Sequence, residues 1–251
     1  MFSIQNKKIL ITGSTGGIGF VLAEGLAKAG ATVIINGRSK EKIDGVVSAF
    51  VEKGYQCHGY QFDITNPTEV ERKIAEIEDN LGRIDVLVNN AGIQHRAPLE
   101  GLNLEDWNKV INTNLTGAFI VGKAVVKGMI ERKSGKIINI CSLQSELGRP
   151  SIAPYATAKG GLKMLTRSMA TEWAKHNIQV NAIGPGYFKT NMTKALFENP
   201  EFDSWLCNRT PARRWGDPAE LVGTLIYLSS QASSFLNGQI IYVDGGITAC
   251  I

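Results

Sequence analysis

The sequence has few residues suited to disulfide bridges or metal sites. No two cysteines form a C-x-x-C pair, and none stands at metal-ligand spacing from the three histidines. We therefore expect reduced, mostly packed thiols and no bound metal. The four cysteines are Cys57, Cys141, Cys207 and Cys250.

Long apolar runs and basic blocks are missing too. No stretch approaches the ~20 apolar residues that a membrane helix needs, and the opening MFSIQNKKILITG lacks a signal peptide's apolar run. We expect a cytoplasmic location and no membrane partner. The 27 basic and 23 acidic residues give a net charge of +4 without clustering, which argues against a nucleic-acid surface.

Short β-rich runs alternate with longer helical patterns along the 251 residues. This alternation predicts βαβ units, and we expect a single α/β domain, residues 1–251, with a Rossmann-like, doubly wound, parallel seven-stranded sheet and helices on both faces. Helices are expected at 20–29, 40–53 and 67–81, the last capped by Asn66. The irregular region of about 186–217 is predicted to cover the substrate. The strand candidates are KILITG, TVIING, YQCHGYQFD, IDVLVNNAG, GKIINICS, IQVNAIGPG and QIIYVDGG.

A glycine-rich turn, ILITGSTGGIGF, follows the first strand candidate and precedes a helix. Glycines at positions 13, 17 and 19 permit a tight turn and let main-chain amides approach a pyrophosphate, while the helix N-terminus attracts the phosphates. By itself the turn indicates only a tight corner. Its place between strand and helix predicts dinucleotide binding.

The end of the second strand candidate, IINGRSKEK, bears on the choice of cofactor. An NAD site usually has a carboxylate there for the ribose 2′-hydroxyl, but Gly37 takes that place. Arg38 can meet a 2′-phosphate, with Ser39 as a further donor. We expect NADP to be preferred and NAD to be possible.

Two reactive side chains lie four residues apart in PYATAKGG. On a helix, this spacing places Tyr155 and Lys159 on one face. Such a pair alone is also typical of an amphipathic helix with a lysine reaching toward solvent. An adjacent ammonium would favour the phenolate and so lower the tyrosine pKa from about 10.

With TGSTGGIG, NNAG and YATAK in that order, nearly the whole chain resembles the short-chain dehydrogenase/reductase family. The resemblance implies an oxidoreductase that uses a nicotinamide cofactor, with a seven-stranded Rossmann sheet and assembly as a homotetramer. It also implies that Tyr155 is the general acid/base, that Ser142 holds the reacting oxygen, that Lys159 binds the ribose, and that Asn114 helps to hold a water near the lysine.

The resemblance extends to the cofactor contacts, with Asp63 meeting the adenine and the Pro-Gly segment at 185–186 lying beside the nicotinamide. Together with the two residues at the second strand, the predicted cofactor-binding set is Gly13, Ser14, Gly17, Ile18, Gly19, Arg38, Ser39, Asp63, Ile64, Asn90, Ala91, Gly92, Tyr155, Lys159, Pro185, Gly186, Phe188 and Thr190.

Two polar segments, SLQSELGRP and IQHRAP, are expected to face the substrate. An arginine binds a carboxylate through paired hydrogen bonds, which suits a sugar acid. Ser145 departs from the family pattern, because many members have glycine three residues after the serine. The predicted substrate contacts are Arg96, Ser142, Gln144, Glu146, Arg149 and Tyr155.

Longer segments, including INICSLQSELGR and WLCNRTPARRWGDP, resemble the sugar-acid dehydrogenases of this family. They imply interconversion of D-gluconate and its 5-keto form with NADP(H). The alternatives are oxidation of 2-dehydro-3-deoxy-D-gluconate or 2-deoxygluconate, and reduction of a 3-oxoacyl carrier protein. A redox-silent dinucleotide-binding protein is the alternative from another class.

Overall fold

The computed structural model describes residues 1–250 and contains one parallel sheet. Its strands are β1 (Lys8–Ile11), β2 (Thr32–Gly37), β3 (Cys57–Gln61), β4 (Val86–Asn89), β5 (Gly135–Ile140), β6 (Ile178–Pro185) and β7 (Ile240–Val243). They lie in the order β3-β2-β1-β4-β5-β6-β7. The predicted seven-stranded, doubly wound architecture is confirmed.

The helices cover both faces of the sheet. They are α1 (Gly17–Lys28), α2 (Lys40–Glu52), α3 (Pro67–Leu81), α4 (Leu104–Ile111), α5 (Gly117–Glu131), α6 (Ala153–Trp173), α7 (Lys194–Phe197), α8 (Pro200–Arg209) and α9 (Val222–Ser229). In the part of the chain described, no helix combines the length and apolar character needed to cross a bilayer.

Alternation along the central strands divides the core into two layers. Ile9 and Ile11 of β1 pack in one cluster with Leu22 of α1, whereas Leu10 packs in the other with Val125 of α5. Strands covered on both faces must be apolar at successive positions. This requirement explains the unbroken hydrophobic runs in the sequence.

Local capping fixes the helix that follows β3. Asn66 accepts a hydrogen bond from the Glu69 amide at 3.2 Å, and Pro67 occupies the first helical position. The predicted cap and bounds are both confirmed. The prediction of an irregular region at 186–217 is wrong in part, because α7 and α8 lie within it.

The order of the strands determines where a ligand can bind. After β1 the chain continues to β2 on one side, and after β4 it continues to β5 on the other side, so the loops that follow these two neighbouring strands diverge. Such a switch point opens a crevice in a doubly wound sheet. The glycine-rich turn and the NNAG segment both border this crevice.

Candidate active site

A cleft of about 820 Å³ opens at the carboxyl ends of the strands. Its size is within the usual range for cofactor sites. Most of the predicted cofactor and catalytic residues line it. They are Gly13, Gly17, Ile18, Gly19, Arg38, Asp63, Ile64, Asn90, Ala91, Gly92, Ser142, Tyr155, Lys159, Pro185, Gly186, Phe188 and Thr190.

The glycine-rich turn is shaped for close approach by a ligand. Gly13 and Gly17 have φ angles of +63° and +57°, which disfavour other residues. A Cβ at Gly19 would lie 2.4 Å from the Asn90 side chain and 2.5 Å from the carbonyl of Gly13. The turn therefore brings bare main chain to the N-terminus of α1, and this cradle fits a pyrophosphate.

Two predicted cofactor residues have structural roles instead. Ser14 is fully buried, its hydroxyl donates to the Ile11 carbonyl at 2.8 Å, and it accepts from the Asn36 amide at 3.1 Å. The Ser39 hydroxyl accepts from the Lys42 amide and caps α2. Neither serine lines the cleft, so their contacts with a cofactor stay a prediction.

The last residue of β2 is Gly37, which has no side chain. A Cβ at Gly37 would lie 2.9 Å from the methyl group of Thr15, so a carboxylate cannot be added there without moving Thr15. Arg38 and Thr15 both line the cleft beside this glycine. A cation and a hydroxyl, with no acid, form an environment that fits a phosphate better than a ribose hydroxyl.

At the other end of the cleft, α6 presents the predicted tyrosine and lysine on one face. Lys159 is buried, and its ammonium donates to the main-chain carbonyl of Ile140 at 2.6 Å. Its Nζ lies 5.7 Å from the centroid of the Tyr155 ring. The pair is held at the end of β5, next to Ser142.

The pKa shifts at this pair differ from expectation. Burial raises the pKa of the Tyr155 phenol above its ordinary value of 10.0, while a hydrogen bond from Ser142 opposes that rise. Burial also lowers the pKa of Lys159 to about 8. Burial therefore outweighs the groups that lower the pKa of the phenol, and the expectation that Lys159 favours the phenolate stays a prediction.

Ser142 is oriented by its own loop. Its hydroxyl oxygen accepts a hydrogen bond from the Gln144 main-chain amide at 3.2 Å, and the side chain is buried. Because an amide occupies one of its lone pairs, the hydroxyl hydrogen is directed elsewhere. It can be donated to Tyr155 or to an oxygen bound between the two residues.

Asn114 lies in a π-helical turn, residues Asn112–Thr116, of the kind that often occurs at functional sites. Its amide oxygen accepts from the Ile93 amide at 2.8 Å, and its amide nitrogen donates to the Ile93 carbonyl at 2.9 Å. The side chain therefore positions the segment after NNAG and does not line the cleft. Its proposed part in holding a water stays a prediction.

Arg96 and Arg149, two of the predicted substrate contacts, lie in different loops, and neither is among the residues that line the cleft. The amide of Ala97 donates to the carbonyl of Ser151 at 3.1 Å, which holds the Arg96 loop against the start of α6. Partial burial, and then the like charge of Arg149, lower the pKa of Arg96, while Tyr187 and Tyr155 raise it. Two neighbouring guanidinium groups favour an anion between them.

Arg149 is also fastened to the segment that follows β6. Its guanidinium donates to the Tyr187 hydroxyl at 3.3 Å and lies 4.6 Å from the centroid of the Phe202 ring, in α8. This contact links the serine loop to the predicted substrate cover. The aromatic side chains around it, including Phe197 and Trp215, form a small apolar cluster.

Gln144 and Glu146, the remaining predicted substrate contacts, have different hydrogen-bond surroundings. Within residues 1–250, the amide oxygen of Gln144 is buried without a hydrogen-bond partner, and so is that of Gln94. Buried acceptors of this kind fit hydroxyl donors of a ligand. Glu146 instead pairs with Lys163 and accepts from the Tyr242 hydroxyl at 2.7 Å, and it does not line the cleft, so its role as a substrate contact stays a prediction.

This geometry agrees with comparisons to known proteins. The model of the family described as short chain dehydrogenase matches residues 7–201. The chain belongs to the short-chain dehydrogenase family. The 5-keto-D-gluconate 5-reductase of Escherichia coli (strain K12) is 53% identical over 251 residues, covering 100% of this chain and 99% of that protein.

One further protein and one solved structure are similar to this short-chain dehydrogenase over its whole length. The 2-dehydro-3-deoxy-D-gluconate 5-dehydrogenase of Formosa agariphila is 51% identical, covering 100% of this chain and 96% of its own length. A crystal structure of a gluconate 5-dehydrogenase from Burkholderia cenocepacia, in complex with NADP and tartrate, has a TM-score of 0.98 at 49% identity. It covers 100% of this chain and 98% of the other.

Sequence reasoning missed several groups in the site of this short-chain dehydrogenase. Thr15 lies within the glycine motif itself, where a hydroxyl between glycines could have suggested a ligand contact. Gln94, in contrast, lies in the segment IQHRAP, which was expected to face the substrate. The carbonyl of Ile140 and the hydroxyl of Tyr187 reach their arginine or lysine partners only through tertiary packing, so no local pattern indicates them.

Proposed function

We propose that this protein interconverts D-gluconate and 5-dehydro-D-gluconate by hydride transfer with NADP(H). The observation that carries the proposal is the cleft lined by Ser142, Tyr155 and Lys159, with Arg96 in a loop that the Ala97–Ser151 hydrogen bond holds against the start of α6. An arginine at this position suits a substrate with a carboxylate at one end and a reacting carbinol farther along. The names of the similar proteins support the same substrate class.

In oxidation, Tyr155 takes the proton of the substrate hydroxyl, and in reduction it returns it. Ser142 donates a hydrogen bond to the reacting oxygen and stabilises the charge that develops there. The nicotinamide, when bound, accepts or donates the hydride. Lys159 supplies positive charge behind the tyrosine, anchored by the carbonyl of Ile140.

The groups that would hold the cofactor follow the cleft. The amides of the glycine turn and of the α1 N-terminus meet the pyrophosphate. Arg38 and Thr15 meet the 2′-phosphate, Asp63 the adenine, and the segment at 185–186 the nicotinamide. Lys159 contacts the ribose. The contacts of Arg38 and Thr15 with the 2′-phosphate support a preference for NADP. The similar Burkholderia gluconate 5-dehydrogenase structure also contains NADP.

A substrate panel tests the proposal. Nicotinamide absorbance is followed with D-gluconate, 2-keto-3-deoxygluconate and, with reduced cofactor, a short 3-oxoacyl thioester. We expect the highest kcat/KM on gluconate with NADP. Silence on gluconate together with turnover of the thioester would overturn the sugar-acid assignment while retaining the enzyme class.

A second candidate is a 2-dehydro-3-deoxy-D-gluconate dehydrogenase, favoured by the 51% identity to the Formosa enzyme. The two substrates differ in hydroxyls that Gln94 and Gln144 could bind. If these buried amide oxygens each accept a substrate hydroxyl, the deoxy compound leaves at least one unpaired, at a cost of about 1–3 kcal/mol. The panel therefore ranks the two substrates directly.

The cofactor assignment leads to a mutational prediction. Arg38→Ala should weaken NADP binding by about tenfold to a hundredfold, because a charge-assisted contact to phosphate is lost. NAD binding should hardly change. Fluorescence titration of both reduced cofactors measures the two affinities, and Lys42→Ala, at an exposed basic residue outside the cleft, is the control. Equal losses for both cofactors would contradict the role of Arg38.

We also propose assembly as a homotetramer in the cytoplasm, with residues 186–217 covering the substrate. Phe119 on α5 and Met164 on α6 are exposed apolar side chains, which supports burial against another copy. The link from Arg149 to Phe202 supports a cover that responds to the substrate. Light scattering of the purified protein tests the assembly.

A further inference from the structure

The loop after β5 is fastened to α6 at two successive helical turns. Ser145 donates its hydroxyl to the main-chain carbonyl of Lys159 at 2.9 Å. Glu146 pairs with Lys163, which lies four residues farther along the same helix. Tyr155, Lys159 and Lys163 therefore share one helical face, and the loop that starts at Ser142 runs along it.

A third element meets the same carboxylate. The hydroxyl of Tyr242, in β7, donates to Glu146 at 2.7 Å. The Tyr242 ring covers Gly184 of β6, where an added Cβ would lie 2.4 Å from the ring. Gly184 directly precedes Pro185, in the segment assigned to the nicotinamide. The carboxylate thus joins the serine loop, the tyrosine helix and the end of β6.

We propose that Glu146 is a positioning residue, which holds Ser142, Tyr155 and the end of β6 in register and neutralises Lys163 beside the catalytic pair. We call Glu146, Lys163 and Tyr242 the loop lock. The inference rests on the proposed dehydrogenase function. It assigns to Glu146 an indirect role, in place of the direct substrate contact predicted from sequence.

Charge gives the loop lock an effect beyond packing. Lys163 and Tyr242 lower the pKa of Glu146, so this carboxyl is ionised at neutral pH. The other titratable or charged groups around the lock are Arg167 on α6 and Cys141 at the end of β5. Without the carboxylate, Lys163 would stand one turn from Lys159 with its charge uncompensated. The added positive potential favours deprotonation of Tyr155.

Glu146→Gln removes the charge and the ion pair with Lys163 while keeping the size of the side chain, so it should affect both the positioning and the charge. We expect kcat for gluconate oxidation to fall about tenfold, since small displacements of catalytic groups are costly. The affinity for NADPH should stay within twofold. The midpoint of the rising limb of log kcat/KM against pH should move down by about half a pH unit.

Two more variants complete the design. Tyr242→Phe removes one hydrogen bond and no charge, so kcat should fall while the midpoint stays. Glu146→Gln combined with Lys163→Met removes both charges, so the midpoint should return to the wild-type value while kcat remains low. Glu172→Gln, an exposed position on α6, is the matched control and should match the wild type.

The outcomes are distinct. A kcat for Glu146→Gln within twofold of wild type, or a lower kcat with an unmoved midpoint, overturns the proposal. Should that variant fail to fold, as judged by its thermal melt, an unimpaired Tyr242→Phe overturns it instead. Wild-type protein that does not oxidise gluconate rejects the proposed function alone, and the variants are then compared on the panel substrate that the wild type does turn over.

Discussion

Replacing Tyr155 with phenylalanine is expected to nearly abolish oxidation of D-gluconate while leaving NADPH affinity intact. The change removes a single oxygen, at the position where the substrate proton must leave or return. General acid/base groups contribute about 10²–10⁴ in rate, and a fall near the upper end is expected because Ser142 cannot replace a base. Steady-state absorbance and cofactor fluorescence measure the two properties.

The pH dependence identifies the same group. Because burial raises the pKa of Tyr155, the phenolate fraction keeps growing above neutral pH. The wild-type kcat/KM for oxidation should therefore rise into the alkaline range, and the variant's residual rate should lose this dependence. Tyr227→Phe, on α9, is the control, and turnover by Tyr155→Phe within tenfold of wild type would reject the acid/base role.

The fold was predictable from sequence because its signals are local and repeated. Strands buried on both faces must be apolar, and Pro67 and Asn66 define a helix start through contacts within one turn. The two helices between residues 186 and 217 escaped prediction. They are short, and they are stabilised by packing around Trp215, so their sequences carry little periodicity.

The site was predictable to the extent that motif positions determine which side chains meet. Ser142, Tyr155 and Lys159 lie together as expected. The sequence did not reveal the hydrogen-bond partner of each polar side chain. Ser14 and Glu146 were predicted to contact ligands, yet the amide of Asn36 and the hydroxyl of Tyr242 donate tertiary hydrogen bonds to them. The sign of the tyrosine pKa shift likewise depends on burial, which only the packed structure determines.

Removing Arg96 is expected to cause the largest loss of substrate selectivity. Arg96→Met should lower kcat/KM for gluconate by about a hundredfold, because losing one partner of a hydrogen-bonded charge pair costs about 2–5 kcal/mol. D-Glucitol, which has a hydroxymethyl group in place of the carboxylate, should lose far less. The ratio of the two kcat/KM values therefore reports the carboxylate contact itself.

Arg149→Met should also lower the ratio of kcat/KM for gluconate to kcat/KM for glucitol. In addition, it should lower the melting temperature. Arg149 also holds Tyr187 and Phe202 in place, so its loss disturbs the cover as well as the anion site. Arg96 has no comparable contact among residues 1–250, which makes it the cleaner probe. Arg72→Met, at an exposed arginine on α3, controls for removal of a positive charge. Equal losses on gluconate and glucitol for Arg96→Met would show that this arginine does not bind the carboxylate, and the acid preference would then have to come from another group.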